Sequence, residues 1–191
     1  MYPLSSMKIN LLEALVQVPD FRAPRGRRYP LRLILLLVIM GTLSDCLGYR
    51  ALEDFARRHN KALVESLELP PMRFPSDSTF RRVMMEIDFT QLAKVFTNWV
   101  GNWMPTHEQD WLGVDGKSIK ATVSNYDKAY QDFVNVVSVF SSRQGVAIAL
   151  EQFRNKESSE IAVVQALLAT LQLKGVVFTF DSLHCQKKLY S

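Results

Sequence analysis

A chain of 191 residues, 48% hydrophobic and 22% charged, can build a sizeable core in one large domain or two small ones, and its composition is not that of a disordered polypeptide. A formal net charge of +4 admits a nucleic-acid partner without requiring one. The two cysteines, Cys46 and Cys185, are too few and too far apart for a disulfide framework, which fits a reducing cytoplasm.

Residues 8–18 carry Ile9, Leu12, Leu15 and Val16 at helical spacing, and Pro19 stops the pattern. The segment DFRAPRGRRYPLR follows, with five arginines (Arg22, Arg25, Arg27, Arg28 and Arg32) and no acid between the first and the last. Pro30 suits the first position of the next helix, which runs to about Leu43. Its apolar run, LILLLVIMGTL at 33–43, is too short to span a bilayer and is flanked by Arg32 and Asp45, so it reads as a core helix. The opening MYPLSSMKIN has no signal-peptide pattern. Helices are expected at 48–60, with Leu52, Phe55 and Ala56 on one face, and at 62–67, closed by Pro70 and Pro71. Ser76 or Ser78 can cap a helix striped by Phe80, Val83, Met84 and Ile87. A last helix over 89–104 carries Leu92, Val95, Phe96, Trp99, Val100 and Trp103, and Pro105 ends it.

Beyond Pro105 the period changes. Residues 111–115 (WLGVD) read as a short strand that breaks at Gly116. FVNVVSVF at 133–140 and VAIALEQF at 146–153 pair as a hairpin around SSRQG. Ser158 or Ser159 caps a helix over 160–171, which Lys174 and Gly175 close. The apolar strand at 176–180 reads as buried on both faces. The fold class is therefore α plus α/β: an all-helical domain over 1–105, then a β-β-β-α-β domain over 106–191.

Asp115 and Asp181 each follow an apolar strand. If the first strand is central and the crossover helix returns the last one parallel beside it, both emerge at the same sheet edge, on strands about 4.8 Å apart. Two carboxylates so close repel, and a hard divalent cation such as Mg²⁺ or Mn²⁺ removes the conflict. The plainer reading makes each aspartate a turn-former or cap, with Asp115-Gly116 a simple turn. His184 and Cys185 beside Asp181 lack partners at zinc spacing, since His59 and His107 are elsewhere.

The segments WLGVDGKSIKAT, VNVVSVFSSRQGVAIALEQ and SSEIAVVQALLATLQLKGVVFTFDSLHCQKK closely resemble the ISAs1-type DDE transposases, also called H-repeat-associated proteins. VPDFRAPRGRRYPLRLILLLVIMGTLSDCLGYRALEDFARRH and PSDSTFRRVM resemble the helical domain that accompanies their catalytic domain. The resemblance implies an RNase H-like fold in which Asp115 and Asp181 are the first and second metal-binding acids, with Mg²⁺ or Mn²⁺ as cofactor. The family's third acid, a glutamate well beyond the second aspartate, has no counterpart. The expected domain is therefore a truncated RNase H-like fold, catalytically incomplete. NKESSEI stands where the family tends to show Lys-Ser/Thr-Asn-Glu, with Glu160 matching the acid and Ser159 replacing the asparagine.

The implied activity is metal-dependent DNA strand cleavage and transfer. The implied partners are transposon ends and target DNA, with a homo-oligomer possible and no membrane. Candidate DNA-binding residues are Arg22, Arg25, Arg27 and Arg28 in the arginine run, Lys117 after the first acid, and Lys187 and Lys188 after the second. For each, a solvated surface role is the alternative. SDSTFRRVM could belong to a helix-turn-helix exposing Arg81 and Arg82, although Pro70, Pro71 and Pro75 interrupt the approach. A second functional reading is a non-catalytic DNA-binding remnant or regulator of the parent element.

Overall fold

The computed structural model describes residues 10–104, 106–124 and 132–180. They contain seven α-helices and one four-stranded mixed sheet, an α+β arrangement in two compact units that divide between Val95 and Phe96.

In the helical unit, α1 (Leu11–Val16) starts in a reciprocal cap. The Asn10 side chain accepts from the Glu13 N–H, and the Glu13 carboxylate accepts from the Asn10 N–H. A 3₁₀ turn at Pro24–Gly26 lies within the arginine-rich segment. Pro30 is the cap before α2 (Leu31–Leu43), one place earlier than its expected position at the first helical residue. Leu33 to Leu37 of α2 are all buried, as a helix apolar on every side must be. Around α2 lie α3 (Tyr49–Arg58), α4 (Asn60–Ser66) and α5 (Asp77–Glu86), which bring Leu52, Ala56, Leu63, Phe80 and Val83 into one core. Gly41 allows α2 and α3 to approach closely, because the Leu52 side chain fills the space a Cβ would take. Residues 67–76 separate α4 from α5, too long for the turn of about 3–4 residues in a helix-turn-helix.

The helix α6 (Phe89–Trp103) contributes Leu92 and Val95 to the first core and Phe96, Trp99 and Val100 to the second. The division thus falls inside a helix and not at Pro105, because one apolar stripe serves two cores.

In the second unit the sheet order is β3-β2-β1-β4. Strands β1 (Trp111–Ser124), β2 (Asp132–Ser141) and β3 (Val146–Arg154) pair antiparallel in succession. Then α7 (Glu160–Leu171) crosses over, and β4 (Val177–Phe180) pairs parallel with β1, from Trp111↔Val177 to Val114↔Phe180. Val163, Val164 and Leu167 of α7 pack with Leu112, Val114, Val137, Val139, Ile148 and Ala149. Ser159 caps α7, its side chain accepting from the Ala162 N–H, and the helix ends with Gln172 left-handed at φ 47°. That closure comes before Lys174-Gly175, although Gly175 also has positive φ.

Two expectations are corrected. The first strand does not break at Gly116. It continues, with Gly116 opposite Val137 and Lys117 opposite Val136, so Asp115 lies inside a strand and not at its tip. Asp-Gly forms a turn only when the backbone leaves the ladder, and here β2 offers hydrogen-bond partners on both sides of it. The last strand is not buried on both faces. Among the described residues β4 pairs with β1 alone, and Val177 is 40% exposed. Within the described residues its apolar side chains Phe178 and Phe180 pack with α7 and β1 in the second core.

Phe80 is fully buried, so Phe80→Ala should lower stability by about 3–5 kcal/mol, whereas Met85→Ala, at a residue 64% exposed on the same helix, should change it by less than about 0.5 kcal/mol. Urea denaturation followed by circular dichroism checks the contrast.

Candidate functional site

Alternation along β1 puts Leu112 and Val114 under α7 and turns Gly113, Asp115 and Lys117 to the other face. On that face a shallow cavity of about 460 Å³ is lined by Asp115, Gly113, Ser138, Phe140 and Thr179. Ser138, directly opposite Asp115 on β2, donates from its hydroxyl to the Asp115 carbonyl at 3.5 Å. Thr179 on β4 donates to the Leu112 carbonyl at 3.4 Å. The Asp115 side chain is exposed and has no ion-pair partner among the described residues. A solvent-facing carboxylate beside two hydroxyls, in a cavity without thiol or imidazole, is a donor set for a hard cation. These residues therefore fit Mg²⁺ or Mn²⁺ chemically. Among the described residues no three His, Cys, Asp or Glu side chains cluster as a complete metal site.

Asp181 follows Phe180 in the chain, and it, Lys187 and Lys188 lie outside the described residues, as do His184 and Cys185. Lys117 is exposed on the same face of β1 as Asp115. Glu160, at the start of α7, sits on the other face. Its carboxylate occupies the space over Gly116 where a Cβ would project. The Asp-Gly pair is thus a strand segment whose glycine seats the first residue of the crossover helix.

Asp110, only 3% exposed, escaped the sequence reading. Its carboxylate accepts from the His107 N–H at 2.8 Å and pairs with Arg143 at 3.3 Å, and its carbonyl accepts from the Val177 N–H at 2.9 Å. It joins the entry of β1 to the β2–β3 turn and to β4, so it positions the strand that carries Asp115. No motif marks it; an aspartate before a strand is ordinary in sequence.

In the helical unit the arginines divide. Arg22 is nearly buried, with 8% of its side chain exposed. It grips Asp20 with two hydrogen bonds of 2.8 Å and donates to the carbonyls of Gly26 and Tyr29. Arg27 donates to the carbonyls of Arg22 and Asp20. These two hold the loop's shape. Arg25 and Arg28 are exposed, with Arg28 5.5 Å from the centre of the Tyr29 ring. The hydrogen bonds from Arg22 hold the Asp20 carboxyl below the usual carboxylate range, against the opposing effect of burial.

Residues 12–100, the helical segment, match the family model described as DDE_Tnp_1-associated. Over 181 residues the chain is 29% identical to YhhI of Escherichia coli (strain K12), covering 94% of this chain and 46% of that protein. It is 28% identical over 180 residues to YbfD of the same strain, covering 94% of this chain and 69% of that protein. Both are named H repeat-associated putative transposases. YbfL of that strain is also 28% identical over 180 residues, with 46% of its length covered, so the chain spans a little under half of YbfL and of YhhI. No solved structure matches. The helical segment is thus similar to the domain associated with DDE transposases, and over most of its length the chain is similar to H repeat-associated putative transposases.

Gly116→Ala should cost on the order of 1 kcal/mol by displacing the Glu160 carboxylate, and the cost should shrink to a few tenths in a Glu160→Ala background. A double-mutant cycle by thermal unfolding measures this. Because folding lowers the Asp20 pKa, its contribution is complete above the unfolded value of about 3.9 and is lost as pH falls through the folded one. Asp20→Asn should therefore lose less stability than wild type on titration below about pH 4.

Proposed function

We propose that this chain is part of a transposase that cleaves and joins DNA strands, and that Asp115 and Asp181 hold Mg²⁺ or Mn²⁺ in an RNase H-like core. The carrying observation is the parallel register of β1 and β4. Val114 and Phe180 are partners, and each aspartate is the next residue in the chain after one of them. Three successive antiparallel strands, a crossover helix and a strand parallel to the first support the RNase H-like reading. A divalent cation bound there would activate water or a 3′-hydroxyl and stabilise the leaving oxygen of a phosphodiester.

The chain's own residues contribute distinct parts. Asp115 supplies an exposed carboxylate from a strand paired with β2 at Asp115 itself and with β4 up to the preceding Val114. Ser138 offers a hydroxyl beside it, and Lys117 places positive charge on the same face, where a phosphate would approach. Lys187 and Lys188 are proposed for the same role after the second acid. Transposon ends and target DNA are the proposed substrates. A second reading, DNA binding without catalysis, is favoured by the exposed Arg25 and Arg28 of the helical unit.

Mn²⁺ titration of the purified chain, followed by electron paramagnetic resonance, tests the centre. Asp115→Asn and Asp181→Asn should each weaken Mn²⁺ binding at least about tenfold, the loss of one charged ligand being worth a kilocalorie or more per mole. With two acids assigned to the centre, the 191-residue chain alone is expected to bind metal without completing strand transfer. Unchanged Mn²⁺ affinity in both variants would sink the metal reading. Duplex binding that survives both substitutions would leave the second one standing.

A further inference from the structure

The helical unit contains a cavity of about 750 Å³ between the arginine loop and α5. Five arginines line it against two glutamates, and Arg22 is the one already neutralised, by Asp20. Two of the others, Arg73 and Arg82, are far from the arginine run in sequence, and folding brings them to the same cleft as Arg25 and Arg28. We propose that this cleft binds the phosphodiester backbone of duplex DNA, with Arg25 and Arg28 on one wall and Arg73 and Arg82 on the other. The inference rests on the DNA-binding part of the proposed function and is independent of the metal centre.

The cleft is built, not incidental. The Tyr29 hydroxyl donates to the Phe74 carbonyl at 3.3 Å, tying the arginine loop to the segment that carries Arg73. The Asn60 side chain donates to the Met72 carbonyl at 2.9 Å and fixes that segment from behind. Arg82 donates from Nε to the Ser78 carbonyl at 3.2 Å, and Arg28 lies against Tyr29, so both guanidinium groups are oriented before a ligand arrives. Arg25 and Arg73 have no acidic partner among the described residues. Of the two glutamates, Glu53 already accepts from the Asp77 N–H at 2.8 Å, at the start of α5. An anion facing several guanidinium groups is the ligand this charge distribution favours, and guanidinium matches phosphate in fork geometry. Contacts from these guanidinium groups to phosphate position a duplex without reading its sequence.

The test uses the full chain in EDTA, two unrelated fluorescent DNA duplexes, and anisotropy over a range of NaCl concentrations. Arg73→Gln and Arg82→Gln should each lower the slope of log affinity against log salt by about one, equally on both duplexes. Arg73→Lys and Arg82→Lys, which keep the charge, should largely restore it. Arg57→Gln, in the last turn of α3 and outside the cleft, should leave it unchanged. A wild-type chain that binds neither duplex overturns the DNA-binding reading and this inference together. A chain that binds with slopes unaffected by the glutamine variants overturns the cleft alone, and neither result bears on the Mn²⁺ centre.

Discussion

Strand β1 must form hydrogen bonds on both edges at once, antiparallel to β2 and parallel to β4, and the second unit depends on that double pairing. It makes β1 an element from which the Asp115 carboxylate projects with little backbone freedom. It also sets a steric condition where α7 begins. The Glu160 carboxylate comes down on β1 at Gly116, and only a residue without a Cβ leaves room for it there. Asp115 can therefore face the open side while its neighbour receives the crossover helix on the covered side. The buried Asp110 adds a second anchor at the strand's entry by joining it to β4 and to the β2–β3 turn.

Much of this was legible. The 3.6-residue stripes and the proline and serine boundaries gave most of the helices within a residue or two, because those signals are local; α1 is shorter than expected, Leu11–Val16 against 8–18. The antiparallel hairpin and the parallel return of β4 beside β1 also follow from short-range pattern and connection rules. The misreadings at Gly116 and β4 share one cause. Whether Asp-Gly turns or stays extended depends on a partner strand about twenty residues on, and whether an apolar strand is central depends on what lies beyond it. Neither is a local property. The division inside α6 was hidden for the same reason: nothing in a single apolar stripe shows that its two halves serve different cores.

The arginine run shows how charge in sequence differs from charge in space. Without an acid between Arg22 and Arg32, the segment reads as uniformly available. Asp20 stands just outside that window and takes Arg22 in a two-point ion pair, while Arg27 turns to backbone carbonyls. A partly buried, fork-shaped pair of this kind orders a loop better than an exposed one contributes stability. Its cost in available charge is made good from elsewhere in the chain. Arg73 sits in a proline-broken connection and Arg82 on α5, where sequence gives no reason to group them with the loop.

These two arrangements meet different physical demands, and that difference bears on function. Strand chemistry on DNA needs a few oxygen donors held to within a fraction of an ångström, which a strand paired on both edges supplies. Holding a polyanion needs only several cations on a firm surface, since counterion release rewards their number more than their exact placement. The exposed Asp115 on a fixed strand suits the first demand, and the arginine-lined cleft suits the second. Because the cleft requires no metal and the acid pair requires no arginine loop, each can persist or fail without the other. The two proposed roles, holding DNA and binding a metal, are thus separable by substitutions in different units.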